Sequence, residues 1–179
     1  MLPLENLKIT ITYDPGKFPV CARMMTATDP WITLKMDFEQ CLKAFEGSCK
    51  EICIAESGNE IVGYLCGTSC RYGTQFPILQ TMIGRLNELV MEGNRLTEEN
   101  TFIYGPVCIA KSARGSGILN GLYQALKKIA SLHYSFCILF ISDKNPRSIN
   151  AHLKLGMNRL GVFEFNNGLF HIMGASLNR

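Results

Sequence analysis

The stretch VCIAKSARGSGILNGLYQALKKIA, from Val107 to Ala130, limits the possible folds more than any other part of the chain. A strand-like run from Thr101 to Ala110 feeds a basic, glycine-spaced loop. The loop opens directly into an amphipathic helix over 117–132, with Leu119, Leu122, Leu126 and Ile129 predicted to face inward. Phe136 to Ser142 follows as a continuous apolar run, the pattern of a strand buried on both faces. Strand, loop, helix and buried strand in this order call for an α/β architecture.

The flanking segments extend the pattern. Leu7 to Tyr13 alternates Ile9 and Ile11 with Lys8, Thr10 and Thr12 at strand period, and Asp14-Pro15-Gly16 breaks it. Phe18 to Met25 predicts a short helix. Asp29 caps a second helix with Pro30 in its first turn, and Trp31, Leu34, Phe38, Leu42 and Phe45 keep helical spacing up to Gly47. Residues 51–56 and 60–68 read as a hairpin around Ser57-Gly58-Asn59. Pro77 opens a helix with Leu79, Met82, Ile83, Leu86 and Val90 on its apolar face, closed by Gly93 and Asn94. Asn145 to Leu155 is a helix with Pro146 in the first turn. Asn158 to Phe165 and Leu169 to Gly174 form a last hairpin around Asn166-Asn167-Gly168. The whole is an α/β (α+β) chain with a mixed sheet, and 179 residues suit a single domain, 1–179, with one core.

Composition narrows the function classes. Hydrophobic residues at 47% against 18% charged make a globular chain and exclude a disordered one. No apolar run reaches the roughly 18 residues of a membrane span, and MLPLENLKITITYD lacks the basic start and apolar stretch of a signal peptide. The expectation is a cytoplasmic protein with no membrane partner. A net charge of +3 from scattered basic residues offers no basic stripe for nucleic acid but suits a small anionic ligand. The eight cysteines include no C-x-x-C pair and stand beside only three histidines, so zinc spacings are absent and no metal is expected. Cys21, Cys41, Cys49, Cys53, Cys66, Cys70, Cys108 and Cys137 are expected to be reduced, mostly buried thiols.

The glycine loop is an anion site in waiting. Free backbone N–H groups at the positive end of a helix favour a phosphate, Gly115 and Gly117 let it approach the backbone, and Arg114 adds charge. A P-loop is excluded because no G-x-x-x-x-G-K-[ST] string exists. A dinucleotide fold would place Asp143 on a ribose, but Gly115, Gly117 and Gly121 read G-x-G-x-x-x-G, one residue too long. The bland alternative is a tight strand-to-helix turn with Arg114 as a solvated charge.

Arg114-Gly115-Ser116-Gly117-Ile118 after a strand, then Asn145-Pro146-Arg147-Ser148, then Leu155-Gly156-Met157, resembles the GCN5-related N-acetyltransferase (GNAT) superfamily over nearly the whole chain. The resemblance implies a central, mixed, mostly antiparallel twisted sheet of about seven strands flanked by helices. Its cofactor-binding core would cover about 101–157, after a helical insert at about 71–100. It implies acetyl-CoA as cosubstrate, its pyrophosphate wrapped by Arg114, Gly115, Ser116, Gly117, Ile118 and Leu119. Leu119 departs from the family's Gly or Ala at that position, which alters local packing against the cofactor. The strand segment Val107, Cys108 and Ile109 would pair with the pantetheine arm, with a backbone N–H there polarising the thioester carbonyl, and Asn145 would contact the cofactor.

The family commonly places a tyrosine seven positions after this asparagine, and the count lands on His152. His152 is expected to replace it as general acid, the bland alternative being that it lines the cofactor groove or caps core packing. For the base, Tyr104 is a candidate, as are Glu88, Glu92 and Glu164 by position only, while His133 and His171 read as structural. The implied reaction is acetyl transfer to a primary amine by direct attack in a ternary complex. The acceptor is open between a small-molecule amine and a protein or peptide amine, and a hydroxyl or thiol acceptor stands beside them. A catalytically weak acyl-CoA-binding sensor is the alternative. The insert is expected to cover or shape the acceptor site or instead to form a homodimer interface, with Phe76, Ile78 and Met91 serving either role, and an ordinary helix packed on the sheet is the other reading.

Overall fold

The computed structural model describes residues 6–12, 14–28 and 51–178. In chain order the strands are β1 (Leu7–Thr12), β2 (Glu51–Ser57), β3 (Glu60–Ser69), β4 (Val90–Met91), β5 (Asn94–Arg95), β6 (Thr101–Ile109), β7 (Phe136–Ser142), β8 (Asn158–Phe165) and β9 (Gly168–Ser176). The described α-helices are α1 (Phe18–Thr28), α2 (Cys70–Gly73), α3 (Pro77–Ile83), α4 (Ile118–Ala130) and α5 (Pro146–Lys154). The helix expected from Asp29 to Gly47 lies outside the described residues. Seven strands form one mixed, mostly antiparallel sheet in the order β1-β2-β3-β6-β7-β9-β8, and β4 and β5 pair separately. The chain divides into two compact units, one made of residues to Gly67 plus Gly105–Ile129, the other of Thr68–Tyr104 plus Ala130 onward.

In the first unit, β1 and β2 pair antiparallel from Leu7↔Ser57 to Thr12↔Ile52, and β2 and β3 form the expected hairpin, closed at Ser57↔Glu60 with Gly58 at φ +60°. Phe18, Cys21 and Ala22 of α1 bury against Ile52, Ile54, Tyr64, Cys66 and Cys108. On α4 the buried residues are Ile118, Leu122, Tyr123, Leu126 and Ala130. The inward face therefore sits about one residue from the expected one, with Leu119 and Ile129 at its margins. Gly121 explains the shift: a Cβ there would collide with Ile9 Cδ1 of β1, so the missing side chain sets the closest approach of helix and strand. Leu132, expected inside the helix, lies beyond its end and is exposed.

In the second unit, β6 and β7 pair in parallel over Thr101↔Phe136, Phe102↔Cys137 and Ile103↔Ile138. β7 then continues to Ser142 with β9 as its antiparallel partner. A doubly wound parallel sheet would need parallel neighbours throughout, so the dinucleotide reading of Asp143 fails on topology. The last hairpin is as expected: Asn166 and Asn167 both adopt positive φ, and Phe165 pairs with Gly168, the geometry of a two-residue hairpin loop with left-handed central residues.

The insert departs from expectation. Its helix ends at Ile83 and gives way to a 3-10 turn at Leu86–Glu88 and the β4–β5 hairpin, which leaves Val90 exposed. Ile78, Met82, Ile83, Leu86, Leu89, Met91 and Leu96 are buried in one core with Ile103, Phe136, Ile138, Phe163 and Ile172. A Cβ on Gly174 of β9 would lie 2.8 Å from Met91 Cε, so the insert presses directly on the sheet. Ile78 and Met91 are thus spent on this core and are unavailable to a dimer face or to an acceptor lid.

Candidate functional site

The glycine loop, in the first unit, takes its shape from three local devices. A 3-10 turn at Lys111–Ala113 ends the strand, with Ala113 N–H donating to Ala110 O at 2.9 Å. Ser116 Oγ–H donates back to Ala113 O, which closes the loop on itself. Gly115 and Gly117 then hold φ +80° and +84°, where an L side chain is strained. A Cβ on either glycine would have nothing within 4 Å, so no contact within the protein requires glycine; the backbone conformation does. The first turn of the 13-residue α4 begins its hydrogen bonding with Gly121 N–H to Gly117 O at 3.1 Å. The N–H groups of Ile118, Leu119 and Asn120 precede that bond and are left without helical acceptors.

Arg114 is fixed by its own strand: Nε–H donates to Ile109 O at 3.1 Å. The contact uses one of the strand residues expected to pair with a pantetheine arm, and it anchors the guanidinium beside the loop. Val107 and Ile109 are half-buried, whereas Cys108 turns into the core and its thiol donates to Met24 O at 3.6 Å. Only the backbone of Cys108 is thus suited to a ligand. No disulfide joins the six described cysteines, and all six are buried. Burial, with Glu98 and Glu99 adding to it, pushes the Cys70 thiol up to about 12, which removes it as a nucleophile.

The second unit holds the other half of the sequence-selected residues. Asn145 is the N-cap of α5: its side-chain carbonyl accepts from Ser148 N–H at 3.1 Å and Pro146 takes the first helical position. The carbonyl end of the residue expected to touch the cofactor is thereby engaged in the helix. At the other end, Met157 N–H donates to His152 O and Gly156 N–H to Leu153 O, with Gly156 at φ +84°. This is a Schellman closure, and it accounts for the Leu155-Gly156-Met157 motif in purely structural terms.

His152 sits within that clamp, 2% exposed. Its Nδ1 lies 2.8 Å from Ser148 O and 3.4 Å from Ser148 Oγ. A carbonyl oxygen can only accept, so Nδ1 carries the proton and Nε2 presents a lone pair. Nε2 is buried and has no hydrogen-bond partner among the described residues. Burial pushes the imidazole below the ordinary histidine range, partly offset by the Ser148 carbonyl. A neutral imidazole protonated at Nδ1 presents an acceptor at Nε2. The Tyr104 ring packs edge to face on His152, centroids 5.4 Å apart at 87°.

The structure therefore brings Tyr104 and His152 together and leaves the carboxylates outside. Glu88, Glu92 and Glu164 are exposed, and Glu88 is paired with Arg85 at 2.9 Å. His133 is exposed, and His171 sits half-buried on β9. Ser148 was not singled out as a functional residue from sequence, although its i−4 spacing from His152 on one helix face was there to be read.

Among the described residues no helix is long and apolar enough to cross a membrane. No curated protein sequence matches the chain significantly. Solved structures match it throughout. A protein assigned to the GNAT family from Desulfovibrio desulfuricans superposes with a TM-score of 0.69 at 12% identity, over 96% of this chain and 99% of that one. Ard1 from Thermoplasma volcanium gives 0.68 at 11% identity, over 96% and 99%. The yncA protein of Salmonella typhimurium, solved with its cofactor acetyl-CoA, gives 0.64 at 16% identity, over 98% and 96%. At these identities the likeness is one of fold. The acetyltransferase (GNAT) family model matches residues 20–157, and the chain belongs to that family.

Proposed function

We propose that the protein is an acetyl-CoA-dependent N-acetyltransferase that moves an acetyl group onto a primary amine by direct attack in a ternary complex. The observation that carries this reading is the pair of left-handed glycines, Gly115 and Gly117, at the mouth of α4, each with open space where a Cβ would stand. Bound acetyl-CoA supplies an activated acyl thioester. Its pyrophosphate fits the loop from Arg114 to Leu119, where first-turn N–H groups and the helix dipole favour an anion. Val107 and Ile109 offer backbone groups to the pantetheine arm, and Asn145 and Pro146 fix the start of the helix that carries His152. Acceptors of this reading are small-molecule or peptide amines.

A thermal-melt panel with acetyl-CoA, CoA, NADH and ATP tests the reading. Ligand at about 100 times its dissociation constant adds about 2.7 kcal/mol, or roughly 5–11 °C in a chain of this size. A rise with acetyl-CoA and CoA alone is expected. A rise with NADH alone, or with none of the four, overturns it. Thiol release across an amine panel then separates a transferase from a binding module.

A further inference from the structure

We propose that β8, in the second unit, is the strand through which two copies of this chain pair, antiparallel and about a two-fold axis at Val162. β8 ends the seven-stranded sheet, with β9 on one side and no described strand on the other. The two-residue loop at Asn166 and Asn167 makes Phe165 and Gly168 the first pair to exchange both backbone bonds. Bonded and non-bonded pairs alternate along an antiparallel ladder, so Phe163 also bonds to β9. The N–H and C=O groups of Val162 and Glu164 then point away from it. An outward row of backbone donors and acceptors is a template for a further strand, and β8, NRLGVFEF, carries neither the lysine nor the proline that blunts many such edges.

The side chains select the partner and the register. Val162 stands opposite His171, Glu164 opposite Leu169 and Arg159 opposite Met173, so Glu164 and Arg159 lie two β9 positions to either side of Val162. Strict alternation would turn Arg159 to the other face of the sheet. The register shift between Arg159 and Gly161 absorbs one residue and returns it to the face of Val162 and Glu164. All three are exposed, Val162 at 46%. Among the described residues neither Arg159 nor Glu164 forms an ion pair. A two-fold axis at Val162 sets that valine against its own copy, and each Arg159 against the Glu164 of the other copy. The strand is thus self-complementary, as a two-fold contact requires, with opposite charges in cross-strand positions around an apolar centre. The homodimer face expected on the insert does not compete, because Ile78 and Met91 are buried.

The test is sedimentation velocity of the full chain from about 1 to 300 μM, the range in which a small interface associates. The wild type is expected to show a monomer–dimer equilibrium. Arg159→Glu and Glu164→Arg should each weaken it at least about tenfold, because each sets like charges opposite one another twice. An equimolar mixture of the two variants should restore the dimer, since a chain with two glutamates then faces a chain with two arginines. A wild type that stays monomeric overturns the proposal and hands the edge to a strand of another protein. A dimer indifferent to both swaps overturns it, as does a mixture of variants, folded by circular dichroism, that stays monomeric. Should a swap fail to fold, Val162→Cys decides. Mild oxidation should link its copies into a disulfide dimer that neither the wild type nor Leu169→Cys, one strand from the axis, forms. No link at Val162→Cys, or equal linking of both variants, overturns the proposal.

Discussion

Replacing Gly117 by alanine separates what the loop costs from what it is for. The residue holds φ +84°, and the added Cβ would meet nothing within 4 Å. Sterics with neighbours therefore contribute nothing, and the penalty is the backbone strain of a left-handed L residue, about 1–2 kcal/mol. In a chain of 179 residues that corresponds to a melting midpoint roughly 2–8 °C lower. Gly121→Ala, four residues on, is the internal control. There the new methyl meets Ile9 Cδ1, the far end of a flexible side chain, while alanine gains about 0.8–1.0 kcal/mol of helix propensity over glycine. The two terms nearly cancel, and the midpoint should hold within about 3 °C. Each variant is melted with and without acetyl-CoA. If the loop grips a pyrophosphate through its backbone, Gly117→Ala also loses at least about tenfold in affinity, equivalent to about 1.4 kcal/mol. A Gly117→Ala protein that melts like the wild type refutes the strain argument. One that melts low yet keeps the full acetyl-CoA shift shows a turn residue and refutes the anion-site argument.

Further predictions concern the second unit. His152 has its pKa lowered in the fold, so below about pH 6.5 the unfolded chain binds more protons there than the folded one. Its stability contribution is complete above that pH and is lost as pH falls through the depressed value; urea titrations from pH 8 to 5 should show a shallower acid loss in His152→Gln than in the wild type. Once an acceptor amine is identified, single-turnover transfer in His152→Gln should fall about 10²- to 10⁴-fold with acetyl-CoA affinity held; an unchanged rate removes His152 from the chemistry. Gly156→Ala places an L residue at φ +84° in the helix closure and should lower unfolding free energy by about 1–2 kcal/mol in denaturant titration. Met82→Ala, at a fully buried site of the insert, should cost about 2–5 kcal/mol, and a near-neutral result would revive the idea that the insert is a detachable cover.

The elements that were legible in the sequence are those fixed by local chemistry. Asn166-Asn167-Gly168 names its turn because asparagine and glycine tolerate positive φ, and Asn145-Pro146 names a helix start because one caps and the other removes a donor the helix does not need. The insert was misread because Leu86 and Val90 keep helical spacing by accident. Gly84 caps α3 after Ile83, and the chain turns back through β4 and β5 to bury Met91 instead of Val90. The inward face of α4 was displaced because periodicity defines a stripe only to within a residue, and Gly121 against Ile9 sets the rotation.

The candidate site divides along the same line. Sequence alone determined the glycine loop, the Asn145 helix and the position of His152, since each depends on residue type at a fixed spacing along one segment. Only the tertiary structure decided what His152 is. The Ser148 carbonyl lies one turn back on the same helix and so belongs to the local pattern, whereas the burial that lowers the imidazole pKa and the packing of Tyr104, a residue 48 positions earlier in the chain, came only with the fold. Protonation state depends on solvent exclusion and on partners brought together by folding, and no linear pattern encodes either.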